Sequence, residues 1–293
     1  MSITSMFLRT SFKHSDDKRD AGLTTPNDIV RYDNISYGPY GEWNLLDVYR
    51  PKNVEKELPV IVSVHGGGWV YGDKERYQYY CMSLAQQGFA VVNYTYRLAP
   101  KYKFPASLED TNNVFRWVLD NCATYKFDIR HVFAVGDSAG AHNLGLYCCI
   151  CTNEAYAKTY PFAPPAGFAP TAIALNCGIY EMKKGKKKDL TTRLMADFMP
   201  EKGTEAEMKQ ISIVDHLLPG FPPCFLMTCE GDFLAAAAPP MEEALKQNGV
   251  PVHYQYYGDP NHVLGHVFHC NIRLPEAQQC NRDECEWFKT FLT

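Results

Sequence analysis

No apolar run in this 293-residue chain comes near the ~18 residues that a membrane-spanning helix needs. The N-terminal stretch MSITSMFLRTSFKHSDDKRD has no charged segment followed by an apolar core of about 7–15 residues, so no secretory leader is expected. Charge of one sign is also scarce. The 29 Lys and Arg against 33 Asp and Glu give a net charge of −4, which excludes the basic footprint of a nucleic-acid-binding surface. No two C-x-x-C motifs are present to hold zinc, and the eleven cysteines follow no disulfide framework. Neither G-x-x-x-x-G-K-[ST] nor G-x-G-x-x-G occurs, which removes the common phosphate-cradling loops. What remains is an ordinary globular composition, 46% hydrophobic and 21% charged. The expectation is a cytoplasmic protein with reduced thiols, no metal, no cofactor, and neither membrane nor nucleic acid as partner. A homo-oligomer is left open.

Against this background one stretch stands out: Val132-Phe133-Ala134-Val135-Gly136-Asp137-Ser138-Ala139-Gly140-Ala141-His142. An apolar, β-branched run ends in Gly-x-Ser-x-Gly, and a pattern rich in Leu, Tyr and Cys follows to about Thr152. That is the order of a strand, a tight turn and a buried helix. Gly136 and Gly140 let strand and helix pass where a Cβ would clash. The turn lifts the Ser138 hydroxyl clear of the sheet. The Ala139 N–H then opens the helix and points at any oxyanion formed on Ser138.

Around this stretch the chain alternates strand and helix patterns. Residues 1 to about 30 are polar and mixed, with a short amphipathic helix expected near Ser5–Phe12, and read as a lid segment or loosely packed arm. Tyr32–Tyr37 and Trp43–Tyr49 read as an antiparallel edge pair joined by the turn Gly38–Gly41. Leu58–Val64, Ala90–Tyr96, 132–136, Thr171–Cys177, Pro222–Cys229 and Val252–Tyr257 read as further strands. Helices are expected near Tyr77–Gln87, Ser107–Asn121, Met241–Gln247 and Asp283–Leu292. Residues 183–220 break the alternation with a lysine run, 183–188, taken as a solvated loop, and short helices near Thr191–Phe198 and Glu205–Ile211. The alternation predicts a mainly parallel central sheet with helices on both faces. It fits a single domain, 1–293, with cap elements from about 1–30 and 183–220.

A serine alcohol needs a base within hydrogen-bond reach and a group to orient that base. Ligands in this architecture bind outside the carboxyl ends of the strands, so the partners belong in loops just after strands. Asp232 follows strand 222–229, and His266 lies in the loop after strand 252–257. Glu230 and Asp259 compete for the acid, and His262 and His269 share the loop with His266. His14, His131, His216 and His253 lie away from the relevant loops. His142 is one turn past Ser138, where its ring is expected along the helix flank. The second half of the constellation is His65-Gly66-Gly67-Gly68, three glycines directly after a buried strand. Two of their N–H groups with that of Ala139 form a set of donors for a tetrahedral oxyanion. Trp69, next in the chain, is expected to wall the acyl side of the pocket.

From about Leu46 to Phe288 the chain resembles the α/β-hydrolase fold, and within it the hormone-sensitive-lipase-like carboxylesterases and acetyl esterases. The residues that carry the resemblance are Leu46-Asp47-Val48-Tyr49, His65-Gly66-Gly67-Gly68-Trp69, Tyr96-Arg97-Leu98-Ala99-Pro100, Phe104-Pro105-Ala106, Gly136-Asp137-Ser138-Ala139-Gly140, Gly231-Asp232-Phe233-Leu234 and His266-Val267-Phe268. The resemblance implies Ser138, Asp232 and His266 as a triad. It implies Gly67, Gly68 and Ala139 as oxyanion donors, and His65 as a brace for the loop. Val267 replaces the glycine usual after the histidine, and Ala236 replaces an acidic residue common four positions after the acid. The run Ala235–Ala238 is bland for a loop beside a site. These departures bear on loop shape and substrate rather than on the reacting groups.

The expected function is therefore hydrolysis of a small-molecule ester with a short acyl group, acetyl foremost, through an acyl-enzyme. An amidase or peptidase on the same fold is one alternative, since fold does not fix the leaving group. A non-catalytic binding relative is the other, and such relatives lose the histidine that is present here as His266.

Overall fold

The computed structural model describes residues 2–186 and 189–293; Lys187 and Lys188, the end of the lysine run, lie outside the described residues. Eight strands are found among these residues. They are β1 (Ile29–Ser36), β2 (Leu45–Pro51), β3 (Leu58–Val64), β4 (Ala90–Tyr94), β5 (Phe127–Asp137), β6 (Ala172–Asn176), β7 (Cys224–Cys229) and β8 (Val252–Tyr257). They form one sheet in the order β1-β2-β4-β3-β5-β6-β7-β8. Only β1/β2 and β2/β4 pair antiparallel; the other pairs are parallel. The longer helices are α1 (Ile3–Asp20), α2 (Lys74–Ala85), α3 (Ala106–Asp120), α4 (Ala139–Thr152), α5 (Leu190–Phe198), α6 (Glu205–Gln210), α7 (Ala238–Gln247) and α8 (Pro275–Lys289). None of the described helices is long and apolar enough to cross a membrane.

The period-two alternation of the strands splits the core into two layers. Val60, Val62 and Val64 of β3 and Val132 and Ala134 of β5 face the layer that holds Phe115 of α3, Leu144 of α4 and Leu245 of α7. Ile61, Phe133 and Val135 face the opposite layer with Tyr80 and Leu84 of α2 and Phe288 of α8. There Phe133 stacks on Phe288 at 4.7 Å between ring centroids, and both are fully buried. Burial of each such ring is worth roughly 1.5–3 kcal/mol.

Three elements extend beyond what their sequence pattern suggests. α1 runs for 18 residues rather than the short stretch expected near Ser5–Phe12. Ser2 caps it by accepting the Ser5 N–H at 3.2 Å, and Lys18 and Arg19 in its last turn suit the helix dipole. Its second half has too few apolar residues to show a helical period. β5 starts at Phe127, five residues early, because the exposed Ile129 and Arg130 interrupt the apolar run beside a register shift opposite Pro59 and Val60. α8 begins at Pro275, where proline is well placed at the first helical position, and not at Asp283. Trp43 and Asn44, read as strand, sit in a 3₁₀ turn before β2.

The tightest backbone packing in the sheet lies where β5 turns into α4. A Cβ on Gly140 would sit 2.0 Å from the Val64 carbonyl oxygen and 2.6 Å from that of His65, and one on Gly136 would sit 2.7 Å from the Gly140 carbonyl oxygen. These contacts are backbone, so no side-chain rotation relieves them. Gly140→Ala is therefore expected to lower stability by at least about 2 kcal/mol, read as a fall in the urea midpoint at unchanged m-value. A midpoint equal to that of the parent protein would show that helix and strand separate freely here.

Candidate active site

Ser138 occupies the turn between β5 and α4 with φ +52° and ψ −118°. A non-glycine residue there is strained, and the surroundings must hold it in place. Its N–H donates to the carbonyl of Asn176 at the end of β6, 2.9 Å away. The His266 Nε2 lies 3.0 Å from the Ser138 Oγ, and the His266 Nδ1 lies 2.6 Å from the Asp232 Oδ1. Asp232 also accepts from the Thr228 hydroxyl at 2.7 Å and from the Leu234 N–H at 2.9 Å. Burial alone would push its carboxyl up, but these hydrogen bonds hold it below the ordinary carboxylate value. Three loops, after β5, β7 and β8, thus bring Ser138, Asp232 and His266 into one line.

The competing residues lie elsewhere. Glu230 accepts from the Tyr256 hydroxyl at 2.7 Å, and Asp259 closes its own turn with Asn261 and His262. His262 pairs with Glu276 at the surface. His269 is fully enclosed against the Tyr80 ring, and burial drops its pKa to about 3. His142 departs from expectation. Its ring is buried rather than lying along the helix flank. The Trp69 Nε1–H donates to its Nδ1 at 3.2 Å, and its Nε2 faces the Ile211 carbonyl at 2.7 Å. Burial lowers its pKa to about 4, so a neutral ring acts as a strut for Trp69.

The glycine loop is fixed from below. The His65 ring stacks on Tyr96 at 4.0 Å, and its Nδ1 lies 2.8 Å from the Gly66 carbonyl. Burial lowers its pKa to about 4, which leaves an uncharged brace. The Gly66 N–H donates to the Tyr77 hydroxyl at 2.9 Å, and that hydroxyl donates to Asp137 at 2.8 Å. Gly67, Gly68 and Trp69 all have positive φ, so the loop turns sharply before Trp69. Trp69 then stacks on Phe198 of α5.

Gly67, Gly68, Trp69, Ser138, Ala139 and His266 line one cavity of about 270 Å³. Much of its remaining wall comes from two helices outside the sheet: Leu8, Phe12, Ser15, Asp16 and Arg19 of α1, and Leu190, Thr191 and Leu194 of α5. Sequence reasoning missed the residues of α1. The repeat Leu8, Phe12, Asp16 and Arg19 at helical spacing was the available signal. Phe233, which packs its ring against His266 at 4.2 Å, was likewise passed over.

Two groups among the described residues bring potential metal-ligating atoms together: Asp137 with His269 and Cys270, and Cys177 with Asp232 and His266. Neither offers a ready thiolate. Burial pushes Cys270 well above the ordinary thiol range, and contact with Cys229 together with burial does the same for Cys177.

The family model described as BD-FAE matches residues 46–238, which spans the glycine loop, the nucleophile turn and Asp232. The chain belongs to the BD-FAE family of α/β-hydrolase carboxylesterases. Esterase LipQ of Mycobacterium tuberculosis is 32% identical over 152 residues, 51% of this chain and 35% of that protein. The versiconal hemiacetal acetate esterase of Dothistroma septosporum is 27% identical over 248 residues, 79% of this chain and 73% of that one. Among solved structures, esterase B from Lactobacillus rhamnosis, inhibited by a C4-C4 tributyrin phosphonate, superposes with a TM-score of 0.87 at 24% identity. That match covers 98% of this chain and 95% of the other. At that identity it shows the shared fold.

Beneath the Ser138 turn lies a buried carboxyl. Glu284 of α8 accepts from the Asn176 side chain at 2.7 Å and from the Tyr80 hydroxyl at 3.2 Å. Burial pushes its pKa from 4.5 to about 7. Between these two values the folded protein holds a proton that the unfolded chain has released, so the contribution of Glu284 to stability falls as pH rises from about 4.5 to 7. Glu284→Gln keeps the shape without the ionisation. The variant is expected to gain stability relative to the parent between pH 5 and pH 8, measured as the difference in urea midpoints. A difference that stays constant across that range would show that Glu284 does not titrate there.

Proposed function

We propose that the protein is a serine carboxylesterase that hydrolyses small esters with short acyl groups, acetyl foremost, through an acyl-enzyme. The observation that carries the reading is the line Ser138–His266–Asp232, with separations of 3.0 and 2.6 Å. In this reading His266 takes the proton as the Ser138 Oγ attacks the ester carbonyl, and the same proton then goes to the leaving alcohol. Asp232 fixes the imidazole tautomer and favours its cation. The N–H groups of Gly67, Gly68 and Ala139 receive the oxyanion. Water, deprotonated by His266, then attacks the acyl-enzyme and returns free serine and acid.

Substrate size follows from the walls. A cavity of about 270 Å³ falls just below the roughly 300–1,000 Å³ of typical ligand pockets, which favours an ester of few heavy atoms. Trp69, held by His142 and Phe198, and Leu194, whose Cδ1 lies 3.3 Å from where a Cβ of Gly68 would stand, limit the acyl end. We take α1 and the 183–220 segment as cap elements of a single α/β-hydrolase domain, 1–293, laid over this cavity.

Two measurements test the reading. A serine-directed phosphonate should label the protein once, at Ser138, and Ser138→Ala should lose on the order of 10⁶ in kcat with little change in melting temperature. Near-parental turnover in that variant would end the serine-esterase reading. In a series of 4-nitrophenyl esters, kcat/KM should be highest for acyl groups of about two to four carbons and low by about eight. Each methylene that fits contributes about 1–3 kcal/mol, so a decline reports steric exclusion. A steady rise through eight carbons would mean an open acyl channel.

A further inference from the structure

The face of α1 over the cavity changes character along its length. Leu8, Phe12, Asp16 and Arg19 recur at the spacing that puts them on one side of a helix, with Ser15 beside Asp16. The helix is held in place along its whole run. At its start the Ser5 hydroxyl donates to Asp197 of α5 at 2.5 Å. In its middle Arg9 donates to the carbonyls of Val70 and Ala99 at 2.6 and 2.8 Å. Near its end the Tyr71 hydroxyl donates to the Asp16 Oδ2 at 2.8 Å.

The glycine loop beneath runs through the same gradient. A Cβ at Gly68 would meet Leu194, whereas one at Gly66 would meet the Asp137 carboxylate and the Tyr77 hydroxyl. The cavity therefore has an apolar end, at Leu8, Trp69 and Leu194, and a polar end, at Asp16 and Arg19.

The hydrogen-bond inventory of that polar end is incomplete. The Asp16 Oδ1 forms an ion pair with the Arg19 Nη1 at 3.0 Å, and its Oδ2 takes the Tyr71 hydroxyl. A carboxylate has about four acceptor sites, so roughly three remain. Arg19 places its Nε and Nη2 on Asp20 at 2.8 Å each and gives Nη2 also to the Arg76 carbonyl. Of its five N–H hydrogens, about two, both on Nη1, are left. Burial pushes the Asp16 carboxyl above its ordinary value despite Arg19 and Tyr71, so further donors to it are favourable. Free acceptors beside free donors complement hydroxyl groups, each of which both gives and takes a hydrogen bond. A cationic group reaching Asp16 would meet the guanidinium in contact with it.

Resting on the serine-esterase reading, we propose that Asp16 and Arg19 form the subsite for the alcohol half of the ester and select alcohols that carry further hydroxyls, that is, monoesters of polyols. The acyl group then lies at the Leu8–Trp69–Leu194 end.

The test compares glyceryl monoacetate with n-propyl acetate, which share acyl group and carbon skeleton, using the purified full chain. The readout is the ratio of their kcat/KM values, with 4-nitrophenyl acetate measured alongside. The parent enzyme should favour the glyceryl ester by about tenfold or more, because a site built to bind hydroxyls is left with unpaired polar groups by the alkyl ester. Asp16→Asn should bring the ratio towards one. Asp17→Asn, which removes the neighbouring contact to Arg76 at an exposed position outside the cavity, should leave the ratio where it was. A ratio that Asp16→Asn does not move, or that Asp17→Asn moves equally, overturns the proposal, since the effect would then be one of helix docking. Choline acetate is the third substrate. If Asp16→Asn penalises it more than the glyceryl ester, the subsite reads cations and polyol selection is wrong. A parent ratio near one with 4-nitrophenyl acetate turned over overturns polyol selection alone. Inertness towards every ester removes the parent reading as well.

Discussion

The structure depends on one backbone contact, the passage of Gly140 against the carbonyls of Val64 and His65, where a side chain would come within 2.0 Å. It presses the end of β3, the end of β5 and the start of α4 together. Because β3 continues into the glycine loop and β5 into the turn at Ser138, the same contact sets the separation between Ser138 and the amides of the loop. Backbone-to-backbone packing cannot relax by rotamer change, so that separation is fixed by the sheet rather than by any side chain in the cavity. The strained φ of Ser138 persists for the same reason. Its N–H is held by Asn176, and the residues on both sides are locked into strand and helix.

Under the cavity lies a layer of buried polar groups whose charge burial reduces. His65 and His142 have lowered pKa values of about 4 and are neutral, and Asp137 and Glu284 have raised ones of about 6 and 7, so both carboxyls change charge near neutral pH. Burial works against the charged form in all four, whereas hydrogen bonds hold the Asp232 carboxyl below its ordinary value beside His266. The layer supplies hydrogen bonds, Tyr77 to Asp137 and Asn176 to Glu284. The two struts His65 and His142 do mechanical work of the same kind, one behind the glycine loop and one behind Trp69.

The roof is built on different physics from the floor. α1 presents Ile3, Met6 and Phe7 largely to solvent; it packs Leu8 and Phe12 against the core and is otherwise held by hydrogen bonds and ion pairs, from Ser5 at one end to Arg19 at the other. Such contacts depend on geometry and are individually modest. A floor fixed by backbone packing and a roof fixed largely by polar latches leave Ser138 and the glycine loop held more firmly than the α1 wall of the cavity.

Much of this was legible in the residues, for a physical reason. Strands buried on both faces must be unbroken apolar runs, so Leu58–Val64 could be bounded to the residue, and the parallel pairing followed from the alternation of strand and helix. A strand–turn–helix passage as tight as that around Ser138 needs glycines at fixed spacing, which fixed the position of the nucleophile candidate. The sequence narrowed the acid and base only to a few loop residues, because a loop histidine carries no mark of the direction its ring faces. Tertiary structure decided that His266 and Asp232 meet Ser138 while His262, His269, Glu230 and Asp259 find other partners. It also decided the buried role of His142 and the full length of α1. His142 leaves no periodic trace, because a strut is defined by what it touches across 73 residues of chain, and α1 shows only the spacing of Leu8, Phe12, Asp16 and Arg19, with no apolar stripe in its polar second half. Local chemistry is written in local sequence, whereas contacts between distant segments exist only once the chain has closed.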